Sequence, residues 1–88
     1  MKVLYEKSFL KDIKKRKDKS LKKRVKLVIS EVKEAKDRSD LKTIEKLKGH
    51  DSAYKIRIGD YRMGLFIEND YIIFSRFLHR NEIYKKFP

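Results

Sequence analysis

The sequence contains no cysteine. That removes a disulfide staple, a thiolate metal site and thiol catalysis together. Glycine is scarce at three residues, and there is no Gly-rich phosphate loop. The HExxH metalloprotease motif and the GxSxG nucleophile elbow are missing too. Histidine occurs only as His50 and His79, and no carboxylate spacing completes a zinc set around either. The paired carboxylates of glycoside chemistry are not evident. No metal and no cofactor are therefore expected. Long apolar runs are lacking: no window approaches the roughly 18 residues of a membrane span. The opening MKVLYEKSFLKD has no apolar stretch of a secretory signal. The expectation is a soluble, cytoplasmic protein with no membrane partner.

Acidic residues are outnumbered. Lys and Arg total 25 against 13 Asp and Glu, a net charge of +12 in 88 residues. This balance repels itself in the compact state and attracts polyanions. RNA, DNA, an anionic surface and an acidic protein all qualify, and a merely solubilising lysine coat is the bland alternative. Hydrophobic residues make up 40%, enough for one core, so the expectation is a single domain over residues 1–88.

The most informative stretch is Ser52–Pro88. Three alternating runs, Ala53–Ile58, Tyr61–Glu68 and Tyr71–Leu78, are separated by Gly59-Asp60 and Asn69-Asp70, which predicts a three-stranded antiparallel meander. In the first run Tyr54, Ile56 and Ile58 share one side and Lys55 and Arg57 the other. In the second, Met63, Leu65 and Ile67 oppose Arg62, Gly64 and Phe66. The third is apolar on both faces apart from Ser75 and Arg76, as in a central strand.

Upstream, Val3-Leu4-Tyr5 suits a terminal strand. Ser8 is a candidate cap for a helix in which Phe9, Leu10 and Ile13 share one side. Lys14–Ser20 then breaks the pattern, and Ser20 is the candidate cap of a second helix. Leu21, Val25, Val28, Val32 and Ala35 form the buried stripe of that helix, with Leu27 and Ile29 at its flanks. The pair reads as an αα-hairpin. Leu41, Ile44 and Leu47 recur at threes, as in a short helix or a pinned coil. Glu82–Phe87 is a candidate final docked turn. The expected fold is α+β, a small antiparallel sheet of the N-terminal strand plus the meander. The helical hairpin packs on its apolar face, and the cationic face is left open.

That face is where chemistry is expected. Phosphodiester cleavage needs a proton acceptor, cations for the charge that builds on the phosphoryl oxygens, and a donor for the leaving oxygen. Arginine matches phosphate bidentately. RNA supplies its own nucleophile, the 2′-OH, so cations, a His and a Tyr suffice. Phe66, Tyr61 and Tyr84 are candidates for stacking on bases. The bland readings are a solvated edge for Lys55 and Arg57, an ion pair with Asp60 or Glu68 for Arg62, and a cap or half-buried site for His79. Tyr84 has a core anchor as its bland reading, and His50 reads as incidental.

Three segments together, Leu47–Gly49, YKIRIGDYRMGLFIEND and HRNEIYKKF, resemble the RelE/ParE superfamily of toxin–antitoxin toxins. The resemblance covers nearly the whole chain. It implies the same small α+β fold and a cognate acidic antitoxin as partner. It also implies one of two activities: metal-independent endonucleolytic cleavage of mRNA in the ribosomal A site, as in RelE-like members, or inhibition of gyrase, as in ParE-like members. A basic RNA-binding domain without activity is a third alternative. Having these cations together favours the endoribonuclease branch. Carried over, Lys55 and Arg57 match the basic strand pair, with Lys55 as base. Arg62 matches the phosphate-holding arginine, Arg80 the C-terminal arginine, and Tyr84 the terminal tyrosine, with His79, Phe66 and Tyr61 in substrate-binding positions.

Overall fold

In the computed structural model, which describes Met1–Pro88, strand β1 (Lys2–Tyr5) leads into helices α1 (Lys7–Lys14) and α2 (Lys19–Glu34). A 3-10 turn, Arg38–Asp40, precedes β2 (Ile44–Lys46). The chain then runs through β3 (Ala53–Ile58), β4 (Tyr61–Glu68), β5 (Tyr71–His79) and α3 (Arg80–Lys86). The five strands form one sheet in the order β1-β5-β4-β3-β2.

The meander is as the alternation predicts, with two-residue turns at 59–60 and 69–70. The first residue of each, Gly59 (φ 58°) and Asn69 (φ 54°), takes the left-handed conformation that such turns require. The sheet is mixed, however, because β1 pairs with β5 in parallel, from Lys2 opposite Tyr71 to Tyr5 opposite Phe74. This direction delivers the chain to the middle of β5. There α1 takes over the edge that β1 leaves.

Three kinds of bond make that takeover, satisfying backbone groups that a strand would otherwise have paired. Glu6 N donates to Phe74 O (2.9 Å). Ser8 Oγ donates to Ser75 O (2.6 Å). Asp12, only 3% exposed, accepts from Phe77 N (2.9 Å), Arg76 Nε (2.7 Å) and Arg76 Nη2 (3.0 Å). The Asp12 hydrogen bond raises the pKa of Arg76, with burial opposing it. The stability linked to the charge of Arg76 is therefore complete at neutral pH and is lost as pH rises into strong alkali.

Both serine caps differ from expectation. Ser8 is spent on β5, and the N-cap of α1 is Glu6 with no side-chain bond. Asp18 caps α2, accepting from Ser20 N (2.9 Å) and Leu21 N (3.1 Å). Asp serves this role as well as Ser, and both occur in the KDKS run. On α1, Leu10 is 54% exposed and Asp12 takes the buried place beside Phe9. On α2 the predicted stripe holds: Leu21, Val25, Val32 and Ala35 are buried and Val28 half-buried. Phe9, Leu21, Val25 and Val32 form the main core with Ile56, Met63, Leu65, Ile72, Phe74 and Phe77 of the sheet.

A bulge sets the faces of β5. Leu65 lies opposite Phe74 but Gly64 lies opposite Arg76, so Ser75 is the extra residue. Without it Phe77 would leave the helical side.

Two further expectations give way. The threes of Leu41, Ile44 and Leu47 are not a helix: Ile44 opens the edge strand β2, with Ile44 opposite Ile56 and Glu45 opposite Lys55, and Leu41 and Leu47 lie in the irregular backbone on either side. Leu41 and Ile44 pack on the main core, whereas Leu47 is buried in a second one. The other sheet face is also not open. Helix α3 lies on it, and Leu47, Ala53, Leu78, Ile83 and Phe87 form that second core. Gly64 lets Phe87 down onto the sheet, since a Cβ there would fall 2.7 Å from the Phe87 ring.

Two tests follow by urea denaturation. Asp12→Ala should cost about 2–3 kcal/mol, because it strands the buried Phe77 N–H and a half-buried guanidinium. Gly64→Ala should cost about 1–3 kcal/mol through overpacking. The Gly64→Ala, Phe87→Ala double variant should be more stable than the sum of the two losses. Strict additivity would show that the two residues do not meet.

Candidate functional site

Helix α3 and strands β2 and β3 build a cleft of about 450 Å³. Lys55 faces it from β3, between Glu45 on β2 and Gly64 on β4. Its side chain is 18% exposed, and Nζ stands 3.8 Å from Glu45 Oε2. The same nitrogen donates to Tyr84 Oη and lies 4.7 Å from the centroid of the Tyr84 ring. Tyr84 is held by its neighbour in sequence, because Ile83 is fully buried while Tyr84 itself is 60% exposed. A helix places adjacent residues about 100° apart, so anchoring Ile83 aims Tyr84 into the cleft. Lys46, Lys48 and His50 complete the polar lining.

Arginines gather at the β3–β4 turn. Arg57 and Arg62 sit directly opposite each other, an arrangement that costs stability in a sheet. Arg62 Nη1 folds back onto Gly59 O (2.9 Å) and Tyr61 O (2.8 Å). The Arg24 guanidinium stands 3.0 Å from where a Cβ on Gly59 would lie. Arg80 opens α3 here and donates its N–H to Asp60 O (2.8 Å), its side chain exposed. The ion pairs of the chain are Lys55–Glu45, Arg76–Asp12 and Lys86–Glu82. None of these turn arginines has a carboxylate partner, and Arg62 does not pair with Asp60 or Glu68.

The candidate set from the sequence therefore separates. Lys55 and Tyr84 touch. Arg57 and Arg62 lie one hairpin step away, with Arg80 beside their turn. Tyr61 and His79 face each other on the helical side of the sheet instead. Tyr61 stacks on Phe77 (5.2 Å between centroids), meets His79 edge-on (5.5 Å) and accepts from Arg16 Nη1 (3.0 Å). His79 caps α3, its Nδ1 accepting from Asn81 N (3.2 Å). Phe66 packs against Phe87 (5.1 Å) at the second core, so its ring is not a free platform for a base. The sequence passed over Glu45, Lys46, Lys48 and His50. Reading Ile44–Lys46 as a strand beside β3 would have placed Glu45 against Lys55.

The whole chain has counterparts of known kind. No family model matches it. It is 46% identical to the toxin RelE3 of Methanocaldococcus jannaschii over the full length of both. It superposes on a chain of the RelB–RelE antitoxin–toxin complex from Methanococcus jannaschii with a TM-score of 0.80 and 43% identity, covering 97% of this chain and 99% of that one. A chain of the archaeal RelE–RelB complex from Pyrococcus horikoshii shares the fold at 19% identity, with a TM-score of 0.71 over 90% of this chain and 93% of that one. With the fold matched and 46% identity from end to end, the chain belongs to the RelE family of toxins.

Proposed function

We propose that the chain is a ribosome-dependent mRNA endonuclease, acting in the A site and silenced by a cognate acidic antitoxin. The observation that carries this reading is the Lys55–Tyr84 contact at a cationic cleft, with the unpaired Arg57 and Arg62 one hairpin step away. Cations without carboxylate partners next to a cleft match the charge of a phosphodiester and of the more negative phosphorane that forms from it. The exposed Tyr84 ring suits a base splayed out of an RNA strand.

In this reading the 2′-oxygen attacks the adjacent phosphorus, the P–O5′ bond breaks, and a 2′,3′-cyclic phosphate and a 5′-hydroxyl remain. The Arg57 and Arg62 forks hold the non-bridging oxygens, and Arg80 adds charge from the start of α3. Lys55 and Tyr84 act as a donor pair for the leaving 5′-oxygen. Lys55 donates to Tyr84 Oη and faces Glu45, contacts that support a part for it in proton transfer at the cleft.

The antitoxin follows from charge and from the relatives, which were solved as antitoxin–toxin complexes. A surface at +12 should capture an acidic, partly disordered partner fast. The association rate with the acidic protein encoded beside this gene should fall at least about tenfold between low and physiological salt. No binding to that protein would count against the assignment.

Catalysis is tested with Arg62→Ala. Its expression without antitoxin should no longer arrest growth, and cleavage of ribosome-bound mRNA should drop about 10²- to 10³-fold, with the thermal melt of the fold retained. Primer extension on a transcript after induction of the wild type should show new 5′ ends within codons. Intact transcripts accompanied by DNA breaks would replace this reading with gyrase inhibition.

A further inference from the structure

Helix α3 brings Tyr84 to Lys55, yet it is only seven residues long, below the length at which a helix holds in water by itself. Its place is fixed on its buried side and at its two ends. Ile83 is fully buried, and Phe87 at the far end sits against Gly64 and Phe66. The near end has two ties. Arg80 N donates to Asp60 O (2.8 Å), and His79 Nδ1 accepts from Asn81 N (3.2 Å). The second is the side-chain cap of the helix.

The imidazole that makes this cap is itself braced from the helical layer. Tyr61 meets it edge-on, with 5.5 Å between centroids. The Tyr61 ring stacks on the buried Phe77, and its Oη accepts from Arg16 Nη1 (3.0 Å), that guanidinium lying 5.4 Å from the ring centre. A line of contacts therefore runs from Arg16, in the link between α1 and α2, through Tyr61 and His79 to α3, and along α3 to Tyr84 in the cleft. It joins the helical side of the sheet to the other. Imidazole is the side chain whose ordinary titration falls between about pH 5 and 8, so the line has one member that acid can change.

We infer that His79 is a positioning residue for Tyr84: its neutral imidazole holds the first turn of α3 to the sheet, and its protonation releases that turn and loosens Tyr84 from Lys55. What this does for the reaction rests on the endonuclease reading above, whereas the hold on α3 does not. Nδ1 accepts only while it carries no proton, and both nitrogens of an imidazolium are donors. Protonation therefore sets two donors against each other at Asn81. It also adds a cation at a helix start, where the positive end of the dipole disfavours one. The charged groups on the elements around the ring are Arg16 in the α1–α2 link, Arg24 on α2, Asp60 in the β3–β4 turn, and Arg80 and Glu82 on α3. Tyr61 on β4 is the titratable group in contact with it. The three arginines oppose an imidazolium, and the two carboxylates favour it. The cap is complete where His79 is neutral and is lost as pH falls through its titration.

The test follows the Tyr84–Lys55 contact in the full chain by NMR between about pH 8 and 5, through the nuclear Overhauser effect between the Tyr84 ring and the Lys55 side chain. In the wild type this effect should weaken with the same midpoint as the His79 ring signals. Amides in the first turn of α3 should exchange about fivefold faster at the acid end, after correction for intrinsic rates, the usual worth of a side-chain cap. His79→Ala should show the acid state at both ends. His79→Asn, a cap that does not titrate, should show the neutral state at both. On ribosomes His79→Ala should lower the single-turnover rate about fivefold at neutral pH with ribosome binding unchanged, and His79→Asn should recover it. A wild-type contact that ignores the His79 titration would overturn the assignment, as would a pH response that disappears in His50→Gln, or a His79→Asn that behaves as His79→Ala does. The wild-type titration needs no variant, so it decides the matter even where a His79 variant fails to fold. A chain whose contact titrates with His79 but which cleaves no ribosome-bound mRNA would overturn the endonuclease reading and leave the hold of His79 on α3 standing.

Discussion

A buried carboxylate joins the two layers of this fold. Asp12 sits where β1 has ended and β5 still has an edge to satisfy. One oxygen takes the Phe77 N–H and Arg76 Nε, and the other takes Arg76 Nη2. Burying a charge is costly unless it is paired and hydrogen-bonded, and here both oxygens have partners. The bulge at Ser75 belongs to the same joint, because it turns Phe77 to the helices while Arg76 reaches α1. Phe9, next to this carboxylate on α1, seats the helix on the core. β5 in turn carries α3 at its end, so the position of the cleft depends on this joint.

What was legible in the sequence was whatever repeats. The alternation of β3 and β4 and the four-three spacing of α2 each recur several times, and both gave the right faces. β2 is three residues long, too short for its alternation to register, and Leu41, Ile44 and Leu47 mimic a helical stripe while serving two different cores. The sheet face under α3 looked open because the strand pattern shows its cations and not the Phe87 ring that Gly64 admits. Helix start signals were misplaced by two residues where Ser and Asp compete within one run.

The site was legible to the same extent. Lys55, Arg57, Arg62 and Tyr84 follow from strand parity and from the closing HRNEIY segment. Tyr61 and His79 share the composition of that set but not its side of the sheet, since one residue of parity decides the face. His50 carries no periodic signal at all. Only the folding of its loop under Leu47 brings it to the cleft, and such a placement is tertiary information.

Gly64 has a consequence for how this toxin is lost. A poison is tolerated only while its antidote is made, so any change that disarms it is rewarded when the antidote fails. A glycine codon is one base from several bulkier residues, and every one of them would collide with the Phe87 ring. Lifting that ring loosens the end of α3, which holds Tyr84 to Lys55. The gene therefore carries, at an uncharged position directly opposite Lys55, a codon in which a single base change unseats the helix that brings Tyr84 to Lys55.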